Sequence, residues 1–172
     1  AQRKFAERGL TNVTIETAHS LAYRYIMRGG KYELSTQGYK THQIAEILSL
    51  SGDGARHSEF ILANHISKFI TYFCNSDKAK VQDLNYLDTV KEPNARKFVH
   101  HFYRAIEEGT RIFLARMDKA EIAITHDFYL KKFQLSAPTL PYDYILFDEG
   151  QDASSAMLDV FMRQAATKVI VG

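Results

Sequence analysis

Asp148 and Glu149 stand side by side directly after the apolar run Tyr144-Ile145-Leu146-Phe147, and Gln151 and Asp152 follow at once. An unbroken apolar run of this length is the pattern of a strand covered on both faces of a parallel sheet. The carboxyl edge of such a sheet is where open α/β folds bind ligands. Two carboxylates delivered to that edge suit phosphate chemistry assisted by a metal. The first, Asp148, can hold Mg²⁺, which takes hard oxygen ligands and accepts few of them from protein. The second, Glu149, can orient and polarise the water that attacks a terminal phosphate. The same residues also fit an acidic turn ahead of a helix capped at Ser154.

The elements that must position these side chains follow from periodicity. Residues 1–9 read as the end of a helix, with Gly9 as its stop. Residues 12–16 alternate Val13 and Ile15 with polar neighbours, a short-strand pattern. Thr17 or Ser20 then caps a helix through about Arg28, halted by Gly29-Gly30. A helix is expected over 41–50 and a loop over 51–54. The next helix, over 56–75, carries Leu62, Ile66, Phe69 and Phe73 on one face. Pro93 suits the first turn of another helix. Its buried stripe is Phe98, Phe102, Ile106, Phe113 and Met117, with Gly109 a weak point. These aromatics also fit a base-stacking platform, but their spacing is that of a core. A short helix over 125–134 and a turn between Pro138 and Pro141 lead to the strand at 144–147. Residues 154–166 read as a helix and 168–171 as a second buried strand, together a βαβ unit. The strands at 13–16, 144–147 and 168–171 are expected to run parallel. The order is α/β, then a helical stretch of about a hundred residues, then α/β again, and that stretch has the size of a small domain.

Composition narrows the classes. The 172 residues are 45% hydrophobic, enough for a core, and carry 22 Lys+Arg against 20 Asp+Glu. A formal charge of +2 excludes a polybasic chain while leaving room for a local basic groove. The single cysteine, Cys74, excludes an intrachain disulfide and fits a reducing compartment. Cys74 reads as a helix-face residue and not a nucleophile. The seven histidines form no metal-ligand spacing with Cys or carboxylates, so no structural metal is expected. No apolar run approaches the length of a membrane span, and no signal peptide opens the chain.

Asp148-Glu149-Gly150-Gln151-Asp152 resembles the Asp-Glu-x-Gln-Asp motif of superfamily 1A helicases of the UvrD/Rep type. Val13-Thr14-Ile15-Glu16-Thr17-Ala18-His19-Ser20 is similar to that family's strand followed by Thr-x-His-Ser. Lys168-Val169-Ile170-Val171-Gly172 is similar to the strand entering its next motif, and 125–131 looks most like the F-box DNA helicase branch. The resemblance spans the whole chain, but only the two ends carry specific motifs. It implies a partial RecA-like P-loop NTPase parallel sheet, subdomain 1A, over 1–22 and 126–172, with a large all-helical insertion, subdomain 1B, over 23–125. It implies ATP and Mg²⁺ as cofactors and single-stranded DNA as partner. Asp148 would be the Mg²⁺ ligand, Glu149 the general base, Gln151 the residue sensing the γ-phosphate, and Asp152 a supporting residue. Thr17, His19 and Ser20 would line the DNA channel, where hydroxyls and imidazole N–H groups can hold phosphate oxygens. Simple capping by Thr17 and Ser20, and a core role for His19, stay open beside this. Gly150 replaces a larger residue of many relatives and is expected to loosen its turn. His126-Asp127 stands where many relatives carry Asp-Phe.

No Gly-x-x-x-x-Gly-Lys-Ser/Thr loop occurs; Gly30-Lys31 is preceded by Tyr25 at the first glycine position and followed by Tyr32. The expectation is therefore a fragment, inactive alone, of an intracellular ATP-dependent 3′-to-5′ DNA translocase acting in repair, recombination or replication. It would work in the cytoplasm of a prokaryote or the nucleus of a eukaryote. The alternative is a non-catalytic helical module that binds DNA or protein. A third reading is a metal-dependent nuclease or phosphatase using Asp148, Glu149 and Asp152, although such sites usually gather more carboxylates.

Overall fold

The computed structural model describes residues 7–9, 11–51 and 58–172. The start of the expected first helix (1–6), the loop at 52–54 and the first residues of the 56–75 helix lie outside this range. Gly9, at the expected stop, has φ +75°.

Helix α1 spans Ala18–Met27. Thr17 caps it in extended backbone, its Oγ1 accepting from Ser20 N at 3.1 Å, so one of the helix's orphan donors is satisfied from the side chain. Gly30 closes the end at φ +65°. Helix α2 spans Thr41–Ile47 and buries Ile44 and Ala45. It stops before residue 50 because Ser49 turns left-handed at φ +50°. Helix α3 spans Ser58–Asn75 and buries Ile66, Phe69 and Phe73, as their spacing requires, with Leu62 half-buried. Two 3-10 turns, Val81–Asp83 and Tyr86–Thr89, follow.

The aromatic stripe belongs to two helices and not one: α4, Pro93–His101, and α5, Tyr103–Asp118. The break is at Phe102 (φ −101°, ψ 18°) and not at Gly109. The two halves answer to different neighbours. Arg96 ties α4 to the carbonyls of Leu87 in the second 3-10 turn and of Val90 just after it, whereas α5 packs on α3. Gly109 sits inside that contact. A Cβ there would meet Ile66 Cδ1 at 2.5 Å, so the glycine permits a close helix approach and does not bend its helix. Ile106, Phe113 and Met117 are buried; Phe98 and Phe102 are half-buried, their rings 4.6 Å apart.

Helix α6, His126–Leu135, is capped by Thr125. It packs on α1, α3 and α7 (Ser155–Met162), the last capped by Ser154. Strands β1, Tyr144–Phe147, and β2, Thr167–Ile170, pair in parallel with Tyr144 opposite Thr167 and Phe147 opposite Ile170, and α7 connects them. The 3-10 turn Gly150–Asp152 lies between β1 and α7.

Two expectations about strands need correction. Residues 12–16 form no strand, and the described sheet has two members. Alternation there supplies no buried face: Val13 is half-buried and Ile15 exposed, and periodicity without a face to cover does not recruit a segment to a sheet. Nor is β1 covered on both sides. Phe147 packs on Phe161 of α7 with ring centroids 5.3 Å apart, but Tyr144 and Leu146, on the opposite face, are 77% and 71% exposed.

One hydrophobic cluster runs from Ala22 on α1 through α2–α6 to Val160 on α7. The boundary expected at 22/23 falls within α1, and the boundary at 125/126 coincides with the start of α6.

Candidate functional site

The turn after β1 is pinned at both ends to the exit of β2. Val171 N donates to Phe147 O and Gly150 N to Val171 O, each at 2.9 Å. Between them, Glu149 adopts left-handed backbone, φ +54° and ψ +43°. A non-glycine residue held there costs on the order of 1–2 kcal/mol. Asp148 Oδ1 accepts from Glu149 N at 3.1 Å, leaving Oδ2 facing solvent. Gln151 donates its side-chain amide to Glu149 Oε2. Asp148, Glu149 and Gln151 thus share one exposed turn, with Asp152 closing it through Asp152 N to Glu149 O at 3.0 Å.

Gly150 does not loosen this turn. It is buried, and a Cβ at that position would lie 2.4 Å from Ile170 Cγ1. Close approach of β2 demands the glycine. On the other side of the turn, a Cβ on Gly172 would lie 1.8 Å from Gln151 Oε1, so the Gln151 side chain rests against the last backbone unit.

A metal's fit can be judged from these donors. Among the described residues no group of three or more His, Cys, Asp or Glu side chains could enclose an ion. The single open oxygen of Asp148 suits Mg²⁺ carried largely by water and phosphates, the usual manner of Mg²⁺ in nucleotide sites. The donor set is poorer than two-metal nucleases use.

Thr17, His19 and Ser20 lie on the first turn of α1, away from the acidic turn in sequence and bonding. Thr17 Oγ1 and Ser20 Oγ are 2.9 Å apart, a capping pair. His19 is exposed and not a core residue. Its Nδ1 lies 3.0 Å from the hydroxyl of Tyr129, and His126 Nδ1 lies 3.1 Å from the same hydroxyl. Tyr23, 45% exposed, stands edge-on to Tyr129 at 5.8 Å. His126, Tyr129 and Tyr23 are the residues that sequence reasoning missed. Only the i,i+3 spacing of His126 and Tyr129 hinted at a shared face.

Arg24, Lys131 and Cys74 are engaged by the fold. Arg24 pairs with Glu16 at 2.6 Å and its guanidinium is held above its usual range, mainly by that charge and then by a hydrogen bond with Tyr142 ahead of β1. Lys131 is buried and donates to Ser76 O at 2.9 Å and to Lys78 O, satisfying carbonyls beyond the end of α3. Burial brings its ammonium down to about 8. Burial pushes the Cys74 thiol up, which leaves it protonated and unreactive near neutral pH. No helix among the described residues is long and apolar enough to cross a membrane.

Comparison with known proteins finds a distant similarity to a DNA helicase. The chain is 29% identical over 180 aligned residues to F-box DNA helicase 1 of Gallus gallus, covering 97% of this chain. No protein-family model matches it, and no solved structure matches it significantly. The chain spans 18% of the length of that relative. At this level the chain is distantly related to a DNA helicase.

Proposed function

We propose that this chain is part of the motor of an ATP-dependent DNA helicase of the UvrD/Rep type. β1, α7 and β2 would belong to a RecA-like sheet, and the helices between α1 and α6 to an insertion beside it. The observation that carries the reading is the acidic turn itself. A parallel strand runs into Asp148 and Glu149 at its carboxyl end, Glu149 is held left-handed, and Gln151 is bonded to it. The distant similarity to a DNA helicase supports the same reading.

The residues divide the work by their free atoms. Asp148 offers Oδ2 to Mg²⁺, which when bound to ATP would neutralise charge on the β- and γ-phosphates. Glu149 has Oε2 engaged by Gln151 and so presents Oε1 to the attacking water, from which it takes a proton. Gln151, lying between Glu149 and the backbone of Gly172, can shift from the carboxylate to a phosphate oxygen and so report whether the γ-phosphate is present. Thr17, His19 and Ser20 face single-stranded DNA. The phosphate-cradling Gly-x-x-x-x-Gly-Lys-Ser/Thr loop that such chemistry uses does not occur in these 172 residues, so these residues by themselves are expected to be inactive.

The test is Glu149→Gln in the intact protein, measured as DNA-stimulated ATP hydrolysis. Size and shape are kept and the base is removed. The expected loss in kcat is about 10²- to 10⁴-fold, with ATP and DNA binding retained. Near-normal turnover would overturn the assignment and leave the chain as a binding module.

A further inference from the structure

Gly172 and Gln151 compete for one space. The three atoms nearest to a Cβ built on Gly172 all belong to Gln151: Oε1 at 1.8 Å, Cδ at 2.9 Å and the backbone N at 3.4 Å. No other described glycine stands in this relation to a polar side chain. The atoms nearest to Gly109 and Gly150 are those of Ile66 and Ile170, and Gly9, Gly29, Gly30 and Gly38 have nothing within 4 Å. The space left open at position 172 is filled by the side chain that donates its amide to Glu149 Oε2.

A methyl group placed there can displace only one of the two. The exit of β2 is held: Val171 N donates to Phe147 O and Val171 O accepts from Gly150 N, each at 2.9 Å. Gly172 is exposed and is not among the glycines with positive φ, so alanine enters neither the core nor a conformation that needs glycine. Gln151 must therefore move. It is exposed, and its amide is the free end of a flexible side chain. Oε1 has to retreat by at least an ångström. Resonance keeps the amide planar, so Nε2 travels with it, off the Glu149 carboxylate. The methyl leaves the fold unstressed and breaks one hydrogen bond.

We infer that Gly172 is a positioning residue for Gln151. The missing side chain at the exit of β2 lets the Gln151 amide lie on Glu149, so β2 sets the geometry of the turn that β1 carries. This rests on the reading of the acidic turn as the site of ATP hydrolysis; the addition is a residue with no chemistry of its own that acts through Gln151.

ATP hydrolysis, nucleotide binding and melting temperature of the intact protein test it, with Gly172→Ala, Gln151→Ala and the double variant. Each single variant should lower kcat by about ten- to a hundredfold, the scale of a misplaced group beside the reacting atoms. The double variant should match the slower single one within about twofold, because both act on the same bond, whereas independent effects would multiply. Affinity for a non-hydrolysable ATP analogue relative to ADP should fall about tenfold in both single variants, the scale of one hydrogen bond to a charged oxygen. Gly172→Ala should melt within about 2 °C of wild type. A Gly172→Ala protein that fails to fold or melts far below wild type would show that the methyl presses on more than Gln151, and the inference would fall. It would fall equally if the two losses multiplied, or if either single variant turned over like wild type. None of these results touches the acidic-turn reading, which stands or falls with Glu149→Gln.

Discussion

Gln151 donates its amide to the carboxylate of Glu149, and Glu149 is one of four non-glycine residues with positive φ among the described residues. The bond and the strain act on one side chain. A left-handed backbone at Glu149 and an amide at Oε2 fix where Oε1 points, and the adjacent Asp148 is fixed by accepting the Glu149 N–H. Two carboxylates consecutive in sequence thereby differ in what each leaves open.

That difference predicts separable phenotypes in the intact protein. Glu149→Gln should lower kcat by about 10²- to 10⁴-fold without changing the Mg²⁺ concentration needed for nucleotide binding. Asp148→Asn should raise that concentration as well as slow turnover, because an amide oxygen is a poorer ligand for a hard cation. Titration of Mg²⁺ against nucleotide binding at fixed ATP separates them. If both variants shift the Mg²⁺ requirement equally, the two carboxylates do not have the roles assigned.

Gly109 offers a test of packing remote from chemistry. Its missing Cβ admits Ile66, whose Cδ1 would otherwise lie 2.5 Å away. Gly109→Ala gains helix propensity of about 1 kcal/mol but forces Ile66 aside in a fully buried contact, where overpacking costs roughly 1–3 kcal/mol. The variant should be neutral or destabilised in urea denaturation, and Ile66→Val should recover part of the loss. Stabilisation by the full propensity gain would mean that α3 and α5 are not held this closely.

These cases show which features were legible in the sequence. Capping residues were in part: Thr17 and Ser154 each accept a backbone N–H because short polar side chains ahead of an apolar period have few other uses, whereas Thr125, read as the first residue of its helix, proves to be its cap. The parallel pairing of 144–147 with 168–171 was legible too, since an apolar run, a helix and a second run leave little topological choice. The kink was not. Gly109 looked like the weak point because glycine is costly in a helix, and the chain spends that cost on helix contact while bending at Phe102, where the packing partner changes. The open face of β1 was not either, because an apolar run reports what a strand can bury and not what covers it. Least visible was the meeting of His19 with His126 and Tyr129. It depends on α1 packing against α6, and no local pattern records that contact.

Thr17 has two candidate employments, and they can be separated. As the cap of α1 it satisfies Ser20 N, and losing it to alanine should cost about 1 kcal/mol. Thr17→Ser keeps the hydroxyl that caps, so thermal denaturation should place it near wild type and Thr17→Ala below. If Thr17 also contacts DNA through that hydroxyl, Thr17→Ala should weaken oligothymidylate binding at a temperature where both variants are fully folded, and Thr17→Ser should not. Equal DNA affinity of all three proteins under those conditions would confine Thr17 to capping.

His65 makes the stability of the helical body sensitive to acid. It is buried, its Nδ1 lies 3.0 Å from the Tyr86 hydroxyl, and its ring stacks on Phe98 with centroids 5.8 Å apart. Burial first, and the Lys68 charge second, hold its imidazolium below the usual range. Burial also raises the Tyr86 hydroxyl to about 12, so that group stays protonated throughout. In the unfolded chain His65 takes its proton near pH 6.5, while in the folded chain it resists doing so. The unfolded state therefore binds more protons in mildly acidic solution, and stability must fall as pH drops through that range. His65→Asn keeps a hydrogen-bonding group near the position of Nδ1 without a titrating one. Its urea midpoint should lie below wild type at about pH 7.5, and the gap should narrow at about pH 5, where wild-type protein alone loses the contribution of a neutral imidazole. A gap that is constant across that range would show that His65 is not held neutral by its surroundings.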